Sequence, residues 1–349
     1  MPMVASRVWW RAGDVMTAEA LSKALLRHLR LRDASVSGIE ALQAVTSGAS
    51  QEIWTFVARR GGARDPLVLR RARHWSTDSQ ALSAGMSAEV ALLRVADAHG
   101  VPVPRVLSEL DSGDCLGEGY VMAHVAGETA GHRILRDPVL SAQLPQLLRE
   151  CAGILARLHA VPLADLPHLR TGHPRDELAH WFRAYRANGV GRPVFEYALR
   201  WLADHAPMPV PVALVHGDFR NGNLVVDAQG VRAVLDWELA HLGDPMEDLG
   251  WFCVNAWRFG AVDRPAGGFG SRAELFAAYE AAGGAVVEAA RVRYWEVLGN
   301  LKWGIACDAM GLAWRSGQDR SIERLAIGRR VTEVEVDLLQ LLAPQGGRA

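Results

Sequence analysis

The chain has 349 residues, half of them hydrophobic and 22% charged, with 38 basic against 39 acidic side chains. That length exceeds what one core usually organises, so a single small module is excluded and two lobes are expected. A formal charge of -1 lacks the basic excess of a polyanion binder, and no nucleic-acid partner is expected.

No apolar run approaches the ~18 residues of a membrane span, and Met1 to Asp14 lacks the apolar core of a signal peptide. The expectation is a soluble cytoplasmic protein, monomer or homodimer, with no membrane partner. Cys115, Cys151, Cys253 and Cys307 lie far apart without a CxxC pair, which signals isolated buried thiols rather than a zinc site or disulfides. Lysine occurs only at Lys23 and Lys302, so 36 of the basic residues are arginines.

In chain order, Leu21, Leu25, Leu26 and Leu29 recur at helical spacing and mark an N-terminal helix. Val36 to Leu42, Gln51 to Ala58 and Pro66 to Arg70 are short alternating or β-branched segments. They are separated by Ser47-Gly48-Ala49-Ser50 and Arg60-Gly61-Gly62-Ala63, which predicts a small antiparallel sheet. Ser87 to His99 reads as a helix stopped by Gly100 and the Pro102/Pro104 pair. Val106 to Leu110 and Gly119 to Val125 return to strand character around Asp111-Ser112-Gly113-Asp114.

Gly127 marks the expected lobe boundary. The division read from the sequence is a helical extension over 1–35, an N-lobe over 36–126 and a C-lobe over 127–349. From Asp137 onward helical periodicity dominates: Leu144 to His159, Glu177 to Ala187, Val194 to His205, Arg272 to Ala282, Val287 to Met310 and Ile322 to Leu342. One β-rich stretch, Val210 to Leu235, interrupts it with a hairpin turn at Asp227-Ala228-Gln229-Gly230. The class is therefore α+β, with unequal lobes and a ligand cleft expected between them.

The chemistry concentrates in His216-Gly217-Asp218-Phe219-Arg220-Asn221-Gly222-Asn223, a polar loop entered from one strand and left through another. Asp236 follows at the end of the returning strand, so the hairpin places it beside Asn223. An Asp, an Asn five residues on and a second Asp after a hairpin match what phosphoryl transfer from a nucleotide needs. One carboxylate takes or orients the substrate hydroxyl proton, while an amide oxygen and another carboxylate hold magnesium. A metal-dependent hydrolase could use the same carboxylates.

This loop and its partner Asp resemble those of the aminoglycoside phosphotransferase and choline-kinase-like family, over nearly the whole chain from Gly38. The resemblance implies a bilobal protein-kinase-like fold and an ATP- and Mg²⁺-dependent transfer to a small-molecule hydroxyl. By that resemblance Asp218 is the catalytic aspartate, His216 and Asp248 support the loop, and Asn223 and Asp236 bind Mg²⁺. The turn holding Gly48, Ala49, Ser50 and Gln51 would cover the phosphates, with Ser50 as its contact. The third strand should carry a lysine paired with a glutamate. No lysine lies between Lys23 and Lys302, so by the resemblance that role falls to Arg70, with Glu89 as its partner, or is vacant; in a regular strand Arg71 faces the other way. Tyr120 to Val125 resembles the hinge, where adenine would meet Met122 and backbone groups of Ala123 and Val125.

Asp236-Trp237-Glu238-Leu239-Ala240, Gly243-Asp244-Pro245 with Asp248-Leu249-Gly250-Trp251, and Tyr294-Trp295-Glu296-Val297 look most like one branch. It is the set of kinase-like proteins fused to, or encoded beside, acyl-CoA dehydrogenases. This implies a hydroxyacyl-CoA acceptor; an aminoglycoside antibiotic kinase and a catalytically silent nucleotide-binding regulator are the alternatives. Gly172 to Pro207 and Arg291 to Arg330 together hold 13 basic against 8 acidic residues, a wall that repels a polycationic antibiotic. Trp181, Tyr185, Trp201, Trp295 and Trp303 in these segments are read as core.

Overall fold

A computed structural model describes residues 16–45, 51–72, 82–110 and 116–343. The chain divides into two compact units, one of residues 1–90 with 104–124, the other of 91–103 with 125–349.

Unit 1 begins with α1 (Ala18–Arg32), whose N-terminus is capped by the Thr17 hydroxyl accepting from the Ala20 amide at 3.2 Å. Leu21, Leu25 and Leu29 form its buried stripe, each worth about 2 kcal/mol on burial. Strands β1 (Val36–Val45), β2 (Gln51–Arg60) and β3 (Ala63–Ala72) are followed by α2 (Met86–Ala98), then β4 (Val106–Glu109) and β5 (Gly119–Ala123). They build one antiparallel sheet in the order β1-β2-β3-β5-β4. α1 is no detached extension: its leucines share a core with Phe56, Leu67, Leu69 and Val121 of the sheet. The chain-order division expected from sequence thus differs from the compact units, which split α2 after Val90.

Register decides what the sheet offers. Arg70 lies opposite Ile53 on β2 and Tyr120 on β5, so these three share one face. The turn with Ser50 and the Asp111–Cys115 turn fall outside the described residues.

Unit 2 opens with the short helices α3 (Gly131–Ile134) and α4 (Pro138–Ser141), then α5 (Leu144–His159), β6 (Thr171–Gly172), α6 (Pro174–Asn188) and α7 (Pro193–Asp204). Next come β7 (Ala213–Val215), β8 (Leu224–Asp227), β9 (Gly230–Val234), β10 (His241–Gly243) and α8 (Met246–Phe252). The unit closes with α9 (Arg272–Ala281), α10 (Ala289–Ser316), α11 (Ile322–Gly328) and α12 (Val331–Leu342). β8 and β9 form the expected hairpin, whose turn is tied by the Asp227 carboxylate accepting from the Gln229 amide at 2.7 Å. β6, β10 and β7 make a small sheet that periodicity did not reveal, because its strands are two or three residues long.

The expected single helix over Ile322 to Leu342 is two. A Cβ on Gly328 would lie 2.7 Å from the Gly311 Cα, so backbone meets backbone where α11 crosses α10, and the chain turns after that contact. Gly250 on α8 allows another close crossing: a Cβ there would stand 2.6 Å from the Trp295 Cβ of α10. Among the described residues no helix is long and apolar enough to cross a membrane. Cys151, Cys253 and Cys307 are buried free thiols, and burial pushes Cys307 up to about 12, far from a reactive thiolate.

Candidate active site

The loop from His216 to Asn223 hangs between β7 and β8, and the structure braces it from below. Asp248, fully buried on α8, accepts the backbone N–H of His216 at 2.8 Å and of Gly217 at 2.9 Å. Its third partner is His159 at the end of α5, whose Nε2 lies 3.1 Å away and whose Nδ1 is 2.8 Å from the Tyr279 hydroxyl. Burial pushes the Asp248 carboxyl up, but the hydrogen bond and charge of His159, with His216, outweigh it and leave the group below the usual carboxylate range. Gly217 is required here: its φ is +77°, and a Cβ would meet the Leu239 carbonyl at 2.6 Å.

His216 is itself fully buried, with Nδ1 accepting the Asp218 amide at 3.2 Å. Burial holds its imidazole below the ordinary histidine value despite the carboxylates of Asp248, Asp218 and Asp236.

Asp218 presents its carboxylate within a cage of donors. Oδ2 accepts from Asn223 Nδ2 at 2.6 Å; Oδ1 accepts from Trp251 Nε1 at 2.8 Å and Arg220 Nε at 3.1 Å. The Arg220 guanidinium in turn stacks 4.4 Å over the Trp257 ring. The hairpin does what its spacing predicted: the Leu235 amide bonds the Asn223 carbonyl at 2.8 Å, which sets Asp236 next to Asn223. Asp236 adopts a left-handed backbone, φ 67° and ψ 66°, a conformation that costs a non-glycine residue about 1 kcal/mol.

Among the described residues no group of three or more His, Cys, Asp or Glu could hold a metal. The donors beside Asp218 still suit magnesium. The amide nitrogen of Asn223 is committed to Asp218, which leaves its carbonyl oxygen as the hard donor, and Asp236 adds a carboxylate. Mg²⁺ accepts such a sparse protein shell when phosphate oxygens complete it.

In unit 1, Arg70 Nε lies 3.2 Å from Glu89 Oε2, with both side chains almost fully buried. Glu89 also accepts from Gln51 Nε2 at 2.9 Å and from the Tyr120 hydroxyl at 3.2 Å. Arg71 points the other way, bonding Glu52 at 2.7 Å. Met122 is buried at the end of β5. The Ala123 amide donates to the Arg105 carbonyl at 2.9 Å and is committed there. Val125 is the first residue of unit 2 after the sheet, and Ser50 lies outside the described residues.

Several residues around Asp218 escaped the sequence reading. Trp251 had a signal: it follows Asp248 by three positions on α8, so one helix face carries both the brace and the donor to Asp218. Lys302 had none beyond its rarity. Its Nζ donates to the Gly217 carbonyl at 3.3 Å and sits 4.5 Å over Trp251 and 5.6 Å over Trp181. Trp257 packs 5.2 Å from Trp251 and 4.9 Å from Trp303. A 430 Å³ cavity lined by Asn255, Arg258, Arg272, Glu296 and Asn300, among others, shares these elements but includes none of Asp218, Asn223 and Asp236.

The fold is that of the kinase-like phosphotransferases. A putative aminoglycoside phosphotransferase of Ralstonia eutropha superposes with a TM-score of 0.67 at 20% identity, covering 91% of this chain and 97% of that one. A choline/ethanolamine kinase family protein of Mesorhizobium loti gives 0.61 at 20% identity, covering 94% and 96%. An aminoglycoside phosphotransferase mutant solved with ADP and hygromycin B gives 0.58 at 17% identity, covering 92% and 100%.

The family model of the phosphotransferase enzymes matches residues 41–285, and the chain belongs to that family. That family is one of phosphotransferase enzymes. Among curated relatives, acyl-CoA dehydrogenase family member 11 of Gallus gallus is 31% identical over 231 residues, 62% of this chain and 28% of that protein. Member 10 of Mus musculus is 34% identical over 167 residues, 44% of this chain and 15% of that protein. The chain therefore spans less than a third of the length of these relatives.

Proposed function

We propose that the protein is an ATP- and Mg²⁺-dependent small-molecule O-phosphotransferase whose acceptor is a hydroxyacyl-CoA or a related hydroxylated metabolite. The observation that carries this reading is Asp218, fixed by Asn223, Trp251 and Arg220 on a loop that Asp248 ties down. A carboxylate so held has lost its rotamer freedom before the acceptor arrives, which is the positioning that phosphoryl transfer demands of a protein. Asp218 takes the proton of the acceptor hydroxyl as the hydroxyl oxygen attacks the γ-phosphorus and the bond from that phosphorus to the β–γ bridging oxygen breaks, releasing ADP. Asn223 and Asp236 would hold Mg²⁺, which when bound neutralises phosphate charge. Arg70, oriented by Glu89, supplies the fixed cation for the α- and β-phosphates in place of lysine. Ser50 and the hinge residues Met122, Ala123 and Val125 complete the nucleotide contacts.

The acyl-CoA part of the proposal draws on the curated relatives, which are named as acyl-CoA dehydrogenase family members, and on the cations placed beside Asp218. A polycationic antibiotic would meet Arg220 and Lys302 there.

The test is ADP release measured with MgATP across hydroxyacyl-CoA, aminoglycoside and amino-alcohol panels. Turnover with hydroxyacyl-CoA is expected, falling by about 10²-fold or more in Asp218→Ala while nucleotide affinity stays near that of the wild type. Near-normal turnover in that variant would sink the assignment. ATP binding with no turnover on any panel would make the protein a silent nucleotide binder. An Asp236→Ala variant should bind MgATP more weakly, and unchanged affinity removes Asp236 from the metal site.

A further inference from the structure

Six of the thirteen basic residues counted in the wall from sequence are ion-paired. Arg186 pairs with Glu196, Arg192 with Asp308 and Glu335, Arg200 with Asp204, Arg291 with Asp244, Arg324 with Asp319 and Arg330 with Glu333. Lys302 is among the rest, and its setting is its own. It is half-buried, has no ion-pair partner among the described residues, and spends one of its three N–H donors on the Gly217 carbonyl. The ammonium lies 4.5 Å over the Trp251 ring and 5.6 Å over the Trp181 ring. Partial burial of a cation without a carboxylate is unfavourable unless an anion or strong acceptor completes its shell.

The position is tied to the chemistry through two separate links. Lys302 bonds the residue immediately before Asp218, and the same Trp251 that carries the ammonium on its face donates its indole N–H to Asp218. The local field agrees. Burial holds the His180 imidazole below its ordinary value, and Arg183, Arg170 and Lys302 add to that against the pull of Glu177. The indole N–H groups of Trp257 and Trp303 are buried without a hydrogen-bond partner among the described residues, and the carboxylates of this wall are engaged elsewhere, Glu177 by Arg170 and Asp218 by Asn223, Trp251 and Arg220.

We infer that Lys302 is a specificity-determining residue of the acceptor site, gripping a negatively polarised oxygen on a carboxyl-level carbon close to the hydroxyl that Asp218 deprotonates. This deepens the phosphotransferase reading and rests on it. The oxygen belongs either to a free carboxylate or to a thioester carbonyl; both accept from an ammonium, and an amine in the same place is repelled. Trp181 and Trp251 fix the ammonium laterally and give the carbon chain of the acceptor a flat surface to lie on.

The experiment is calorimetric binding to the full chain with γ-hydroxybutyrate, its CoA thioester and aminobutanol, each with and without MgATP. Wild type is expected to bind at least one of the two oxygen-acid probes and to bind aminobutanol more weakly. Lys302→Met should lose about tenfold or more in affinity for the bound probe at unchanged MgATP affinity, and Lys302→Arg should recover part of it. Dependence shown with the free acid assigns a carboxylate; dependence shown only with the thioester assigns the thioester oxygen. Wild type that binds neither probe, or binds aminobutanol as tightly, overturns the inference. So does a Lys302→Met variant whose probe affinity is unchanged, or one that loses MgATP and probe affinity together without rescue by arginine, since that is a loop-supporting role. Binding is read without turnover, so the two readings fail separately. Probe binding through Lys302 with no ADP release sinks the kinase assignment, whereas ADP release indifferent to Lys302 sinks this one.

Discussion

The two units hold their key charges in opposite ways. In unit 1, Arg70 and Glu89 face each other with 7% and 0% of their side chains exposed, and the tyrosine and glutamine around them all point at the carboxylate. In unit 2, the Asp218 carboxylate proposed to take the acceptor proton is 14% exposed, and the buried charge lies one layer down at Asp248. A buried pair costs desolvation and survives only if every partner stays, so unit 1 fixes its cation by mutual dependence. Unit 2 separates the tasks: Asp248 carries the structural load, which leaves Asp218 reachable for chemistry. A site that must exchange a proton cannot be sealed, whereas one that only presents charge can be.

The contrast can be broken at its strongest point first. Asp248→Ala should destabilise the protein by about 3–5 kcal/mol, because it strands two backbone N–H groups and His159 together. Denaturant melts would show this, and a loss below 1 kcal/mol would mean the loop stands without its brace. Glu89→Ala should cost about 3 kcal/mol by taking the carboxylate from Arg70, Gln51 and Tyr120, with Glu89→Gln costing less. If the alanine variant melts like wild type, the pair is not the dry anchor described.

Gly217→Ala is expected to cost about 1–2 kcal/mol in stability, from the left-handed backbone and the contact with the Leu239 carbonyl. Its turnover should fall more than its stability, because Asp218 is the next residue. Thermal melts and initial rates on one preparation separate the two effects.

The smallest effect concerns pH. His216 and His241 are both buried, but their shifts oppose. Burial lowers His216 from 6.5; His241 is raised because Glu247 overcomes its burial. Between its lowered folded value and 6.5, His216 is protonated only when unfolded, so its contribution to stability falls as pH drops through that window. Above 6.5, and up to its raised folded value, His241 is protonated only when folded, so its contribution is lost as pH rises. Replacing His241 by Asn should therefore flatten the alkaline side of the melting profile and leave the acid side, and His216→Asn the reverse. Identical profiles in the two variants would show that neither ring titrates as placed.

Much of this architecture was legible because it is local. The strand alternation, the Asp227–Gly230 turn and the spacing of Asp218, Asn223 and Asp236 are set within short stretches, where side-chain period and turn chemistry act directly. The pairing of Arg70 with Glu89, expected from the resemblance, is present as a buried ion pair. What stayed hidden depends on elements far apart in the chain. Periodicity joined α11 to α12 because it cannot see Gly328 seated on Gly311. The charge count over 172–207 and 291–330 overstated the basic wall because ion pairing is a tertiary event.

The sequence by itself determined the family chemistry: an aspartate, an asparagine and a second aspartate at fixed offsets around a hairpin, with arginine where lysine is usual. Only the tertiary structure decided how that aspartate is held and what lies beside it. His159, Asp248, Trp251 and Lys302 come from three helices spread over more than 140 positions. They meet because α8 crosses α10 closely at Gly250, and no linear spacing records a packing contact. The same crossing sets one of only two lysines against the loop, where its ammonium bonds the Gly217 carbonyl.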